Sequence, residues 1–80
     1  MELINTIQSS IQNGMPCDLV QVNGDGEHFE AIVVSPSFAG KSRIARHKLV
    51  FDTLGDRMRA EIHALSIKTY TPEQWAEMRA

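Results

Sequence analysis

The sequence predicts one α+β domain: a three-stranded sheet with its helices gathered on one face, in the order helix, strand, strand, helix, helix, strand, helix. Three observations predict it. Eighty residues leave room for a single core, so residues 1–80 form one domain. Apolar residues recur at helical spacing near the start and again in the middle of the chain. Between those stretches, DLVQVNGDGEHFEAIVVS holds two alternating runs around a cluster of turn formers.

Each element follows from its residues. Leu3, Ile4, Ile7 and Ile11 form the stripe of an amphipathic first helix, with Asn5, Gln8, Ser9 and Gln12 opposite. Asn13-Gly14 ends it, because glycine accepts the left-handed backbone common at helix ends, and Pro16 prevents resumption. Val20 and Val22 then alternate with Leu19 and Gln21. Phe29, Ala31 and Val33 alternate with Glu30, Ile32 and Val34, and NGDGE turns the hairpin. SPS, Ser35 to Ser37, breaks the second strand.

Ser42 caps a second helix that runs to about Leu54, with Ile44, Ala45, Leu49 and Phe51 as its buried stripe. Gly55 stops it. A short third helix is expected near Arg57 to Ile62. In the last strand Leu65 and Ile67 face one way, Ser66 and Lys68 the other. Thr71-Pro72-Glu73 opens a closing helical turn, with threonine as cap and proline in the first helical position, and Trp75 packs it onto the sheet.

Composition narrows the function classes. Apolar content of 42% and charged content of 22% describe an ordinary globular chain. No apolar run approaches the roughly 18 residues of a membrane span. MELINTIQSS has neither the basic start nor the apolar centre of a secretory leader. Cys17 is the sole cysteine, which removes internal disulfides and cysteine-rich zinc sites and points to a reducing, cytoplasmic setting.

Charge is unevenly placed. The net charge is −2, yet residues 1–40 hold five acids and no Lys or Arg, so residues 41–80 carry all eight bases and the other five acids. Lys41, Arg43, Arg46 and Lys48 fall within eight residues, beside His47. Such a cluster contacts phosphate, docks one partner, or is simply the solvated face of the helix, and the overall acidity weakens general attraction to nucleic acid.

Catalysis has little support. GKS at Gly40 to Ser42 lacks the upstream glycine of a phosphate-binding loop, the cysteine has no neighbouring base, and the carboxylates form no motif. The chain is therefore expected not to be an enzyme. The histidines are His28 at the end of the hairpin loop, His47 on the second helix and His63 before the last strand. His63 reads as structural, bonded to backbone. Two or three histidines fall short of a closed four-ligand metal site, so any metal bound here needs a partner's ligands.

Three separated motifs carry a resemblance that covers nearly the whole chain. FxGKSxxxRHxxV fits Phe38, Gly40, Lys41, Ser42, Arg46, His47 and Val50. IHALSIKTYTPEQW spans Ile62 to Trp75, and GDGEHFEAIVVS spans Gly24 to Ser35. In this order they resemble the BolA-like family, and the hairpin wording resembles its bacterial IbaG branch. The resemblance implies an αββααβ(α) fold similar to the class II KH domain. The GxxG loop by which KH domains clamp nucleic acid is not evident, since Gly40-Lys41-Ser42-Arg43 ends in arginine.

The resemblance implies two roles. In one, the protein is a monomer alone and a heterodimer with a monothiol glutaredoxin, bridging a [2Fe–2S] cluster in iron–sulfur trafficking or iron and stress sensing. The implied ligands are His47, from the RH motif, and His28, nearest to the family's histidine or cysteine between the first two strands. Glutathione is the implied co-ligand. Cys17 precedes the first strand and does not match that position. In the other role the protein is a transcriptional regulator that binds DNA. Lys41, Ser42, Arg43, Arg46 and Lys48 would contact glutathione and partner in the first role, and DNA in the second.

Overall fold

The structure is a computed structural model that describes residues 2–55 and 62–79. Helix α1 (Glu2–Gly14) places Ile7 and Ile11 fully inside, with Leu3 and Ile4 packed against the same core. The predicted stripe is the one that is buried. The reason for Gly14 differs from the expected one. It is still helical and is not among the glycines with positive φ, which are Gly26, Gly40 and Gly55. A β-carbon on Gly14 would instead lie 2.6 Å from Thr53 Cβ. This glycine lets two helices approach.

Strands β1 (Leu19–Gly24) and β2 (Phe29–Val34) pair antiparallel, from Leu19 opposite Val34 to Gly24 opposite Phe29. Strand β3 (Leu65–Tyr70) lies parallel to β2, from Phe29 beside Leu65 to Val34 beside Tyr70. The sheet order is β1-β2-β3, which leaves β2 central. Val20, Val22, Phe29, Ala31, Val33 and Ile67 form one buried row, as strand alternation requires.

Helix α2 (Arg43–Leu54) is capped by Ser42, whose hydroxyl accepts from Ala45 N, and closes at Gly55 (φ 64°). Its buried stripe is Val50 and Leu54, not Ile44, which is 83% exposed. The geometry explains the correction. At 100° per residue Ile44 sits about 120° around the helix from Val50, whereas Leu54 sits about 40° from it. Leu49 and Phe51 flank the stripe half-buried, as expected, and Phe38 fills the space beside it from a 3₁₀ turn at Pro36–Phe38.

The expected short helix near Arg57 to Ile62 lies outside the described residues except for Ile62, which belongs to a 3₁₀ turn over Ile62–Ala64. Helix α3 (Pro72–Arg79) opens on a reciprocal cap. Thr71 Oγ1 accepts from Gln74 N at 3.1 Å, and Gln74 Oε1 accepts from Thr71 N at 2.9 Å. Helices α1 and α2 cover the Ile67 row of the sheet. Trp75 of α3 instead meets Tyr70, ring centroids 5.4 Å apart, and Tyr70 alternates into the opposite row with Ser66 and Lys68. That contact lies beside Val34, which is buried outside the main core cluster.

Candidate functional site

Two exposed places carry the residues singled out in the sequence. The first is the end of the sheet where β2 and β3 begin. The turn joining β1 to β2 is held by Asp25, whose Oδ1 accepts from Glu27 N at 2.9 Å and His28 N at 2.8 Å. Asp25 N donates to the His28 carbonyl at 3.2 Å, and Gly26 supplies the positive φ of 98°. The amide bonds from His28 and Glu27 hold the Asp25 carboxyl below its ordinary pKa. Asp25 Oδ2 lies 4.0 Å from His28 Nδ1, and both side chains are exposed.

Parallel pairing decides what stands next to His28. Phe29 lies beside Leu65, so the chain enters β2 through His28 and β3 through the Ile62–Ala64 turn at the same end of the sheet. His63 is exposed there and has no bonded partner among the described residues. Among the described residues it shows none of the backbone bonding expected from the sequence. A signal for this pairing does exist in the sequence: each of two apolar strands is preceded within two residues by a histidine, in EHF and in IHAL.

The second place is a groove of about 380 Å³ between the start of α2 and β3. Lys41, Arg43, Arg46 and His47 line it from the α2 side. Lys68 and Tyr70 line it from β3, and Gln74 from α3. No carboxylate lines it among the described residues. His47 and His28 therefore line different grooves, since His28 belongs to a shallow one with Asp25, Glu30 and Ser66.

The five contact residues expected from the sequence divide by role. Arg46 is committed to the fold: Nε donates to the Lys41 carbonyl at 3.0 Å, Nη1 donates to Gln74 Oε1 at 2.9 Å, and the guanidinium lies 5.8 Å from the Phe38 ring centre. Ser42 uses its hydroxyl on the helix cap. Lys48 points away from the groove and pairs with Asp52 at 3.5 Å. Lys41 and Arg43 have no bonded side-chain partner among the described residues and are the available cations. Lys68, Tyr70 and Gln74 were not foreseen, because only the fold brings β3 and α3 beside α2.

Cys17 suits neither place. It is half-buried and its Sγ lies 3.5 Å from the Met15 carbonyl. Burial first, then the neighbouring Asp18 carboxylate, push its thiol pKa up, which disfavours the thiolate. Among the described residues no three potential ligands gather around one point, and no helix is long and apolar enough to cross a membrane.

Comparison with known proteins places this geometry. The family model described as BolA-like protein matches residues 3–74. The acid stress protein IbaG of Escherichia coli K12 is 42% identical over 76 residues, 94% of this chain and 90% of that protein. The DNA-binding transcriptional regulator BolA of Vibrio cholerae is 40% identical over 77 residues, 96% of this chain and 67% of that protein. Among solved structures, a bolA protein homologue from Coxiella burnetii has a TM-score of 0.76 at 45% identity, covering 88% of this chain and 91% of its own. The BolA domain of SufE1 from Arabidopsis thaliana has a TM-score of 0.75 at 32% identity, covering 91% and 95%.

Proposed function

Because this chain belongs to the BolA-like family, we propose that it is a non-enzymatic adaptor that pairs with a monothiol glutaredoxin and shares a [2Fe–2S] cluster with it. The carrying observation is the placement of two exposed histidines, His28 and His63, at the adjoining starts of β2 and β3. Two imidazoles make half a ligand set, which fits a cluster completed by thiolates from the partner and glutathione. Asp25 Oδ2 lies 4.0 Å from His28 Nδ1, an exposed charge contact and not a hydrogen bond. Imidazole ligation in place of thiolate raises the potential of such a cluster.

The ligand assignment differs from the one the resemblance implies. His28 is kept, and His63 takes the place that the RH motif gave to His47. His47 lies in the cationic groove, where it serves docking. The strand order and pairing fit a class II KH-like likeness without its clamp loop, and a reducing cytoplasm suits both the cluster and the Cys17 thiol.

The test mixes apo protein with cluster-loaded monothiol glutaredoxin and follows visible absorption and circular dichroism. The wild type should change the spectrum on forming a heterodimer. His28→Ala and His63→Ala should each suppress that change, and His47→Ala should retain its shape. A wild type that leaves the spectrum untouched overturns the adaptor reading. Loss with His47→Ala but not with His63→Ala returns the ligand role to His47.

A second reading, a DNA-binding regulator, is favoured by the available cations Lys41 and Arg43 and by the name of the Vibrio cholerae relative. Phosphate contacts predict promoter binding that falls steeply with salt and weakens with Arg43→Ala. No binding at about 50 mM salt removes this reading.

A further inference from the structure

The cationic groove and helix α3 share one atom. Gln74 Oε1 accepts from Thr71 N at 2.9 Å, which closes the cap of α3, and from Arg46 Nη1 at 2.9 Å, which ties α3 to α2. Arg46 also lines the groove with Lys41, Arg43, His47 and Lys68. Lys68 pairs with Glu30 at 3.5 Å, and Glu30 lines the other groove. In a chain of net charge −2, the groove is a concentration of positive charge with no acid on its walls among the described residues. Its field favours an anion.

We propose that this groove is a binding site for a small oxyanion group, phosphate or carboxylate, and that its occupation is coupled to the docking of α3 through Arg46. An oxyanion in the groove offers Arg46 a charged acceptor. An oxyanion adds a full negative charge and a second acceptor oxygen, so it can pair with the guanidinium in a way the single neutral Gln74 Oε1 cannot. Arg46 Nη1 turns from Gln74 to the anion, and α3 loses its side-chain tie to α2. The cap between Gln74 and Thr71 remains, so α3 stays helical while its packing relaxes. Neither His28 nor His63 lines this groove, so the site is separate from the ligand pair proposed above.

Coupling of this kind is reciprocal. If the anion and Gln74 compete for Arg46, removing the Gln74 amide must strengthen anion binding. A passive site predicts the reverse, because Gln74 lines the groove and its amide NH₂ is a donor. Trp75 is the only tryptophan, sits on α3 against Tyr70, and has Arg79 5.8 Å from its ring centre. Its fluorescence reports the docking of α3.

The experiment titrates the apo protein with pyrophosphate and, separately, with succinate, each against sodium chloride at matched ionic strength. Trp75 emission gives the docking of α3, and calorimetry gives the affinity. The expected result is a saturable emission change that chloride does not produce. The two arms show whether phosphate or carboxylate is preferred. Arg43→Ala should weaken binding threefold or more without altering the emission of the unbound protein. Gln74→Ala should tighten binding twofold or more and abolish most of the emission change. Equal or weaker binding by Gln74→Ala, or saturation without an emission change, overturns the coupling. Titrations indistinguishable from chloride overturn the site, whatever the outcome with the glutaredoxin.

Discussion

Replacing Gly14 by alanine separates two accounts of that glycine. A left-handed helix end makes alanine unfavourable for backbone reasons and asparagine the better substitute. The structure gives a different reason. Gly14 is helical, and a β-carbon there would lie 2.6 Å from Thr53 Cβ, 2.7 Å from Thr53 Cγ2 and 3.3 Å from Thr53 Cα. Carbon atoms pack best at about 3.5–4.0 Å, so relief needs roughly 1 Å of separation. Rotating the Thr53 side chain does not move its Cβ, and it breaks the 2.6 Å bond from Thr53 Oγ1 to the Val50 carbonyl. Helices α1 and α2 must therefore move apart.

Overpacking of this kind costs roughly 1–3 kcal/mol. Better helix propensity returns at most about 1 kcal/mol, and less in a last turn. Net destabilisation of about 1–2 kcal/mol is expected, because the clash outweighs the gain in propensity. For a domain of this size that lowers Tm by about 4–8 °C per kcal/mol. Urea unfolding followed by circular dichroism measures it, with asparagine as the second variant. Crowding makes Gly14→Asn worse than Gly14→Ala, because its side chain is larger. A neutral or stabilising alanine, or an asparagine tolerated better than alanine, refutes the reasoning.

Two further predictions concern buried and exposed polar groups. Ser35 is fully buried, donates its hydroxyl to the Pro16 carbonyl and accepts from Ser37 N at 3.1 Å. Ser35→Ala leaves these groups without their partner, and it should lower stability by about 1–3 kcal/mol in urea unfolding with an unchanged m-value. Asp25 has a depressed carboxyl pKa in the folded state, caused first by the His28 amide and then by the Glu27 amide. Its stabilising contribution is therefore present above the unfolded carboxylate value and is lost as pH falls through the lower folded value. A carboxyl-carbon NMR titration should place the Asp25 midpoint below that of an unfolded peptide. Asp25→Asn should remove its share of the pH dependence in that window.

Much of the fold is legible in the sequence because its signals are local. The stripe Leu3, Ile4, Ile7 and Ile11, the Ser42 cap, the stop at Gly55 and the Thr71-Pro72 start each act within a turn or two of chain. The α2 stripe is not legible at Ile44. Its hydrophobicity resembles that of Val50, and only the angle at which α2 meets α1 and β3 decides which face is covered. The basic segment is legible as a cluster, but the division of labour within it is not. Whether a cation lines a groove, caps a helix or ties two elements together depends on what lies opposite.

The sequence by itself determined the three strands, the helices that became α1, α2 and α3, and the separation of acidic from basic halves, because periodicity, capping and charge are properties of neighbouring residues. Only the tertiary structure decided which distant residues meet. Parallel pairing of β2 with β3 brings the turn that holds His63 to the same end of the sheet as His28 and leaves His47 in another groove. Return of the chain along β3 into α3 sets Gln74 against Arg46, twenty-eight positions away in sequence. The physical reason is the same in both cases. Strand register and helix docking are settled by burying one common core, and the polar residues on the outside are carried to wherever that burial leaves them.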